Sequence, residues 1–190
     1  MSEAADYRAL PADLPVPLDD GAADHLRGLA VPDLSLPSTL GGDCDLRGLT
    51  AATAVIYVYP RTGTPGEDSP PGWDAIPGAR GCTPQSCGFR DHAAELADLG
   101  ATVAGLAAQP FAEQQEFAAR EHLPFALLND AALLLEDAIG LPTFEIAGMR
   151  LYRRLTLIAR GGRIEHVMYP VFPPDRNAAD VVAWLRANPD

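Results

Sequence analysis

From Ala54 onward, short apolar runs alternate with stretches of helical character, and few architectures can accommodate that alternation. "AVIYVY" (Ala54 to Tyr59) is β-branched and aromatic and is ended by Pro60, as expected of a buried strand. "ATVAGLA" (Ala101 to Ala107) and "PFALLND" read as two further strands. Between them fall a helix from Thr83 or Pro84 to about Leu99 and another over Pro110 to His122. Thr83 is expected to cap the first, with Pro84 in its opening turn, where a missing N–H costs nothing. A short helix, "AALLLEDAIG", closes at Gly140, and "LPTFEIAG" reads as loop. "LYRRLTLIA" and "RIEHVMY" flank "RGG" at hairpin spacing, and Asn177 to Ala187 forms a last amphipathic helix. Strands separated by helices run parallel, whereas a hairpin adds an antiparallel edge. The expectation is an α/β fold with a mixed central sheet flanked by helices.

Ahead of this lies a segment rich in proline, aspartate and alanine. It is read as an extended arm over residues 1–40, wrapping the domain or trailing from it, with the folded domain at 41–190. Residues 60–81 are dense in proline and glycine and must be loop. A net charge of −12 argues against nucleic acid or an acidic membrane as partner, since both are polyanions. All 14 basic residues are arginine. The N-terminus is acidic and has no apolar core, unlike a signal peptide, and no run approaches the ~18 apolar residues of a membrane span. The expected location is cytoplasmic. In that compartment a close cysteine pair reads as redox-active or metal-binding rather than as a structural disulfide.

That pair is Cys82 and Cys87 in "GCTPQSCGFRDH". Cys82 falls at a helix start, where free N–H groups and the positive dipole end favour a thiolate. Cys87 lies further along the helix, more buried and less acidic, so Cys82 is the expected nucleophile. Five helical residues advance about 7.5 Å and turn the second side chain away, so the two sulfurs cannot bond until those turns unwind. Gly88 weakens the helix at that place. Zinc binding would need Cys82, Cys87 and His92 with no second cysteine-rich half, and two inert core cysteines is the remaining alternative. A redox pair after the first core strand, at a helix start, is a thioredoxin-like arrangement. Spacing wider than Cys-x-x-Cys points to a peroxide-reacting thiol with a resolving partner rather than to a dithiol exchanger.

"VIYVYP", the loop that follows it, "GCTPQSCGFRDH" and "LTLIARGGRIEHV" together resemble the Q-type peroxiredoxins, also called bacterioferritin comigratory proteins, over roughly Leu46 to Ala187. The resemblance implies a thioredoxin-fold, thiol-dependent peroxidase for hydrogen peroxide and organic hydroperoxides, without metal, haem or flavin. It further implies that Cys82 becomes a sulfenic acid, that Cys87 resolves it as an intramolecular disulfide, and that a thioredoxin-like dithiol reduces the disulfide. The molecule is expected to be a monomer or weak dimer. By the same resemblance Arg154 is the strand-borne arginine that activates peroxide, and Pro60 and Thr64 begin the Pro-x-x-x-Thr-x-x-Cys motif. Arg153 is then the surface arginine.

The sequence departs from that motif in the loop. "EDSPPGWDAIPGARG" separates Thr64 from Cys82, so the motif survives only if residues 67–81 loop out and return. Trp73 in this insertion is expected to anchor the loop or cover the pocket. Phe144 is a candidate for an apolar entrance, and Cys44 is a bystander. The rival reading is a thioredoxin-fold redox sensor or binding protein with slow peroxide reactivity.

Overall fold

The computed structural model describes residues 9–189; the readings that fall on residues 1–8 lie outside the described residues. Among the described residues nine strands and six α-helices follow in order. They are β1 (Ser35–Pro37), β2 (Asp43–Asp45), α1 (Leu46–Leu49), β3 (Thr53–Val58), α2 (Cys82–Asp91), α3 (Ala93–Asp98), β4 (Ala101–Ala107), α4 (Phe111–Arg120) and β5 (Ala126–Asn129). Then come α5 (Leu134–Ile139), β6 (Thr143–Ile146), β7 (Met149–Tyr152), β8 (Leu155–Arg160), β9 (Arg163–Met168) and α6 (Asn177–Ala187).

The central sheet has five strands in the order β5-β4-β3-β8-β9. β3, β4 and β5 are parallel, while β8 pairs antiparallel with both β3 and β9. β3 is buried at every position because alternate residues feed two cores. Val55 and Tyr57 face Phe89, Phe117, Val181 and Leu185. Ile56 and Val58 face Leu26, Val31, Leu36, Leu135 and Leu157. The mixed sheet and flanking helices expected from the sequence are therefore present.

The segment before residue 41 has two parts. Ala23, Leu26, Val31 and Leu36 are buried in the second core, and β1 pairs with β2. Nearer the N-terminus the chain runs across the α2 end of the sheet, where Asp20 accepts from Arg153 and Tyr169. Among the described residues no helix is long and apolar enough to cross a membrane.

Three local expectations are corrected. First, the helix expected over Thr83–Leu99 is two, broken at His92, whose ring Nδ1 lies 2.9 Å from the Gly88 carbonyl. Thr83 does not cap it: the cap is Gly81, at φ 106°, and Thr83 lies inside the first turn. Second, "LPTFEIAG" is not all loop, since β6 pairs with β7 around Ala147 and Gly148, both at positive φ. Third, "LYRRLTLIA" is not one strand. Its first residues end β7, its last form β8, and Arg153 and Arg154 occupy the crossing between them. Arg154 therefore stands outside the sheet ladder, and its side chain is free to reach the start of α2.

Candidate active site

Gly81 sets the geometry of the thiol. A Cβ there would come within 2.3 Å of Pro174 Cγ and 2.9 Å of Leu10 Cδ2, and the φ of 106° itself favours glycine. The chain turns at Gly81 and starts α2 at Cys82, whose sulfur lies beside the helix N-terminus and is buried. That end of α2 has no side-chain cap, so its N–H groups and dipole lend positive potential to the sulfur's surroundings.

Arg154 meets Cys82 from the crossing between β7 and β8. Its Nη2 donates to Cys82 Sγ at 3.1 Å, to Ala79 O at 3.1 Å and to Arg80 O at 3.2 Å. Its Nε donates to Gly78 O at 3.1 Å, and its Nη1 to Gln85 Oε1. Arg154 is 3% exposed, yet none of these partners is a carboxylate. Cys82 Sγ also lies 3.7 Å from Ala79 O, the direction in which a thiol proton would point.

A chain of buried amides and hydroxyls holds Arg154 in place. Gln85 donates from Nε2 to Asn177 Oδ1 at 2.9 Å, and Thr156 Oγ1 donates to the same oxygen at 2.7 Å. Gln85 stands one helical turn beyond Cys82, on the same face. The sequence reading missed it. The available signal was its position three residues past the cysteine, in a helix otherwise short of large polar side chains.

A cavity of about 50 Å³ opens over the thiol, lined by Cys82, Thr83, Gly81, Thr64, Arg61 and Trp73 among others. Thr64 and Cys82 thus share one cavity, because residues 67–81 loop out and return. Trp73 is buried and packs against Phe144, with ring centroids 6.3 Å apart. It also packs with Ala79 and Leu151, which fixes the inserted loop to the β6–β7 hairpin. Thr62, two residues before Thr64, is pinned by Gln109, whose Oε1 accepts from Thr62 N at 2.8 Å. Arg61 pairs with Glu113 at 3.1 Å and Arg80 with Asp74 at 3.0 Å.

Pro60 is not in this cavity. It lines a neighbouring, more apolar one of about 280 Å³ with Arg154, Phe144, Pro17 and Tyr169. Arg153 faces this second space and donates to Asp20, Tyr169 and the Thr143 carbonyl. Cys44 sits half-buried in β2, its thiol pushed up by burial and by Asp45. His92 is bonded to backbone, and His166 stacks on Trp184 at 4.7 Å. Among the described residues no group of three or more His, Cys, Asp or Glu side chains could hold a metal ion. None of Cys44, Cys82 and Cys87 is in a disulfide, and Cys82 is buried whereas Cys87 is only partly so, the reverse of the order expected from the sequence.

A thiol at a helix N-terminus, fronted by a buried arginine at the end of a mixed sheet, defines a class of redox proteins. The sequence profile of the family described as Redoxin matches residues 26–183, and the chain belongs to that family. Among its relatives are Peroxiredoxin Bcp of Escherichia coli (strain K12), 29% identical over 84% of this chain and 94% of that protein, and the chloroplastic Peroxiredoxin Q of Arabidopsis thaliana, 26% identical over 85% and 67%. Among solved structures, Peroxidoxin BcpB of Mycobacterium tuberculosis superposes with a TM-score of 0.69 at 27% identity, covering 86% of this chain and 98% of its own. Peroxiredoxin Q of Xanthomonas campestris gives 0.63 at 25%, covering 93% and 98%. The resemblance to Q-type, Bcp-like peroxiredoxins read from the sequence is borne out.

Proposed function

We propose that this chain is a thiol-dependent peroxidase in which Cys82 is the peroxidatic thiolate, Arg154 its activating cation and Cys87 the resolving thiol. One observation carries the reading. Arg154, only 3% exposed, has no carboxylate among its hydrogen-bond partners, and the group in contact with it that can carry negative charge is the Cys82 sulfur. Burying a cation unpaired costs several kcal/mol, so the thiolate form of Cys82 is the natural counter-charge.

The chemistry follows from this placement. The Cys82 thiolate attacks one peroxide oxygen, the O–O bond breaks, and the leaving hydroxide or alkoxide takes a proton from solvent. Sulfur gains the oxygen as a sulfenic acid and peroxide is reduced. Arg154, the helix N–H groups and Thr64 are the donors near the departing oxygen, where developing charge needs them. Cys87 then attacks the Cys82 sulfur. The S–O bond breaks, water leaves and a disulfide joins two residues of α2, which requires the first turns of that helix to unwind. A thioredoxin-like dithiol is the reductant that returns both thiols.

The test is a thiol count and intact mass on reduced protein, within seconds of adding one equivalent of hydrogen peroxide. Wild type should lose two thiols, Cys87→Ser should gain one oxygen, and Cys82→Ser should stay inert. Oxidation only over many minutes would reject the peroxidase reading in favour of a redox sensor or binding protein.

A further inference from the structure

Cys87 faces different company from Cys82. Its Sγ lies 3.6 Å from Oε2 of Glu121, the C-cap residue just past α4. Glu121 is 2% exposed and is gripped by two cations. Arg120 Nε lies 3.3 Å from its Oε1, and Arg90 Nη1 lies 3.7 Å from its Oε2 and donates to its backbone carbonyl at 2.9 Å. Arg90 Nε is committed to Asp91 at 2.9 Å. From the sheet side, Tyr57 of β3 is fully buried, and its hydroxyl donates to Ser86 at 3.1 Å. Burial first, then Tyr59, pushes that phenol far up, so it stays neutral. The bond to Asp91 is the main cause holding Arg90 charged against its burial, with the Glu121 carboxylate adding to it.

We propose that Glu121 is a positioning residue that keeps Cys87 as a protonated thiol, so that α2 presents one cysteine to a cation and the other to an anion. A carboxylate at hydrogen-bond distance accepts the S–H and, as a like charge, opposes the thiolate, with Arg90 and Arg120 offsetting part of that charge. Because the thiolate is the nucleophile, peroxide is directed to Cys82 alone. Cys87 is spared oxidation until the disulfide step, when its proton is given up, its sulfur bonds that of Cys82 and the sulfenic oxygen leaves as water. The use made of this division rests on the peroxidase reading above; the division itself does not.

The experiment isolates Cys87 in a Cys44→Ser, Cys82→Ser background and follows its alkylation by iodoacetamide from pH 6 to pH 10, read by intact mass. Adding Glu121→Gln should slide the rate profile to lower pH and raise the rate at pH 7 about tenfold or more, with the high-pH plateau unchanged. Glu121→Asp should restore most of the parent profile. Arg90→Gln, which removes a cation from beside the thiol, should slide it to higher pH, and it carries the test if Glu121→Gln fails to fold. A Glu121→Gln effect that lifts the plateau without moving the midpoint is loss of packing and overturns the proposal. So does an Arg90→Gln profile that coincides with the parent or moves to lower pH. Peroxide consumption by the protein with all three cysteines, run in parallel, separates the two claims. Slow consumption with a shifted profile removes the peroxidase reading alone; fast consumption with an unshifted one removes only the role of Glu121.

Discussion

Arg154 Nη2 stands 3.1 Å from the sulfur of Cys82, a contact between residues 72 apart in the chain. The guanidinium reaches the thiol with three backbone carbonyls and one amide already bound. Replacing Arg154 by Lys keeps the charge and loses the planar fork. Stopped-flow consumption of hydrogen peroxide by Arg154→Lys should be slower by about 10²–10³-fold, the usual effect of removing one preorganised donor.

Thr64 and Thr62 differ in what holds their side chains. Both line the thiol cavity, but Thr62 is buried and its N–H and hydroxyl both donate to Gln109. Thr64→Val should lower the peroxide rate about tenfold or more with its urea midpoint unmoved. Thr62→Val should leave Gln109 under-satisfied and cost about 1–2 kcal/mol in urea unfolding. A Thr64→Val enzyme of full speed would remove that hydroxyl from the mechanism.

Gly81 admits no side chain. With φ at 106° and Pro174 Cγ 2.3 Å from the site of a Cβ, Gly81→Ala must displace either the start of α2 or the chain at Pro174. The expected loss is about 2 kcal/mol or more, measured by denaturation. Peroxide reactivity should fall with it, because Cys82 moves when Gly81 does.

Gln85 ties Arg154 to Asn177, and Thr156 donates to the same Asn177 oxygen. Gln85→Leu keeps the volume and breaks both bonds of the amide. The peroxide rate should fall about tenfold while urea stability falls about 1–3 kcal/mol. Gln85→Glu would supply the carboxylate that Arg154 lacks and compete with the thiolate, so its rate should fall further than that of Gln85→Leu.

His166 gives a stability profile with a definite sign. Burial first, and Arg27 second, lower its pKa below 6.5, with Glu165 opposing. The unfolded chain therefore takes up the proton at higher pH than the folded one. The stabilisation is complete above about pH 6.5 and is lost as pH falls through the lower, folded value. His166→Phe retains a ring to stack on Trp184, and its urea midpoint should change less than that of wild type between pH 7 and pH 5.

The main sheet was legible because its strands are short apolar runs punctuated by proline and glycine, and every position of β3 is buried. Arg154 could be singled out by the resemblance, from its place before the glycine turn, and a charge among apolar neighbours in need of a partner agreed with it. The β6–β7 hairpin was hidden: its strands are four residues each, pair only with one another, and carry no strong turn dipeptide. The break at His92 depends on a ring reaching back to the Gly88 carbonyl, which helical periodicity does not encode. Gln85 and Glu121 were invisible as partners for a different reason. Gln85 is defined by Arg154, 69 residues on, and Glu121 lies 34 residues beyond the thiol it faces. Such distances carry no local pattern.

The carbonyls that receive Arg154 belong to Gly78, Ala79 and Arg80, the residues leading directly into Cys82, and its amide partner Gln85 lies just beyond it. One side chain therefore cross-links both flanks of the thiol. Unwinding the first turn of α2 cannot proceed bond by bond, because moving Cys82 withdraws the acceptors of a single guanidinium together. The arginine proposed to activate the sulfur would thus also make its release all-or-none, leaving the pocket either whole or open, with little between.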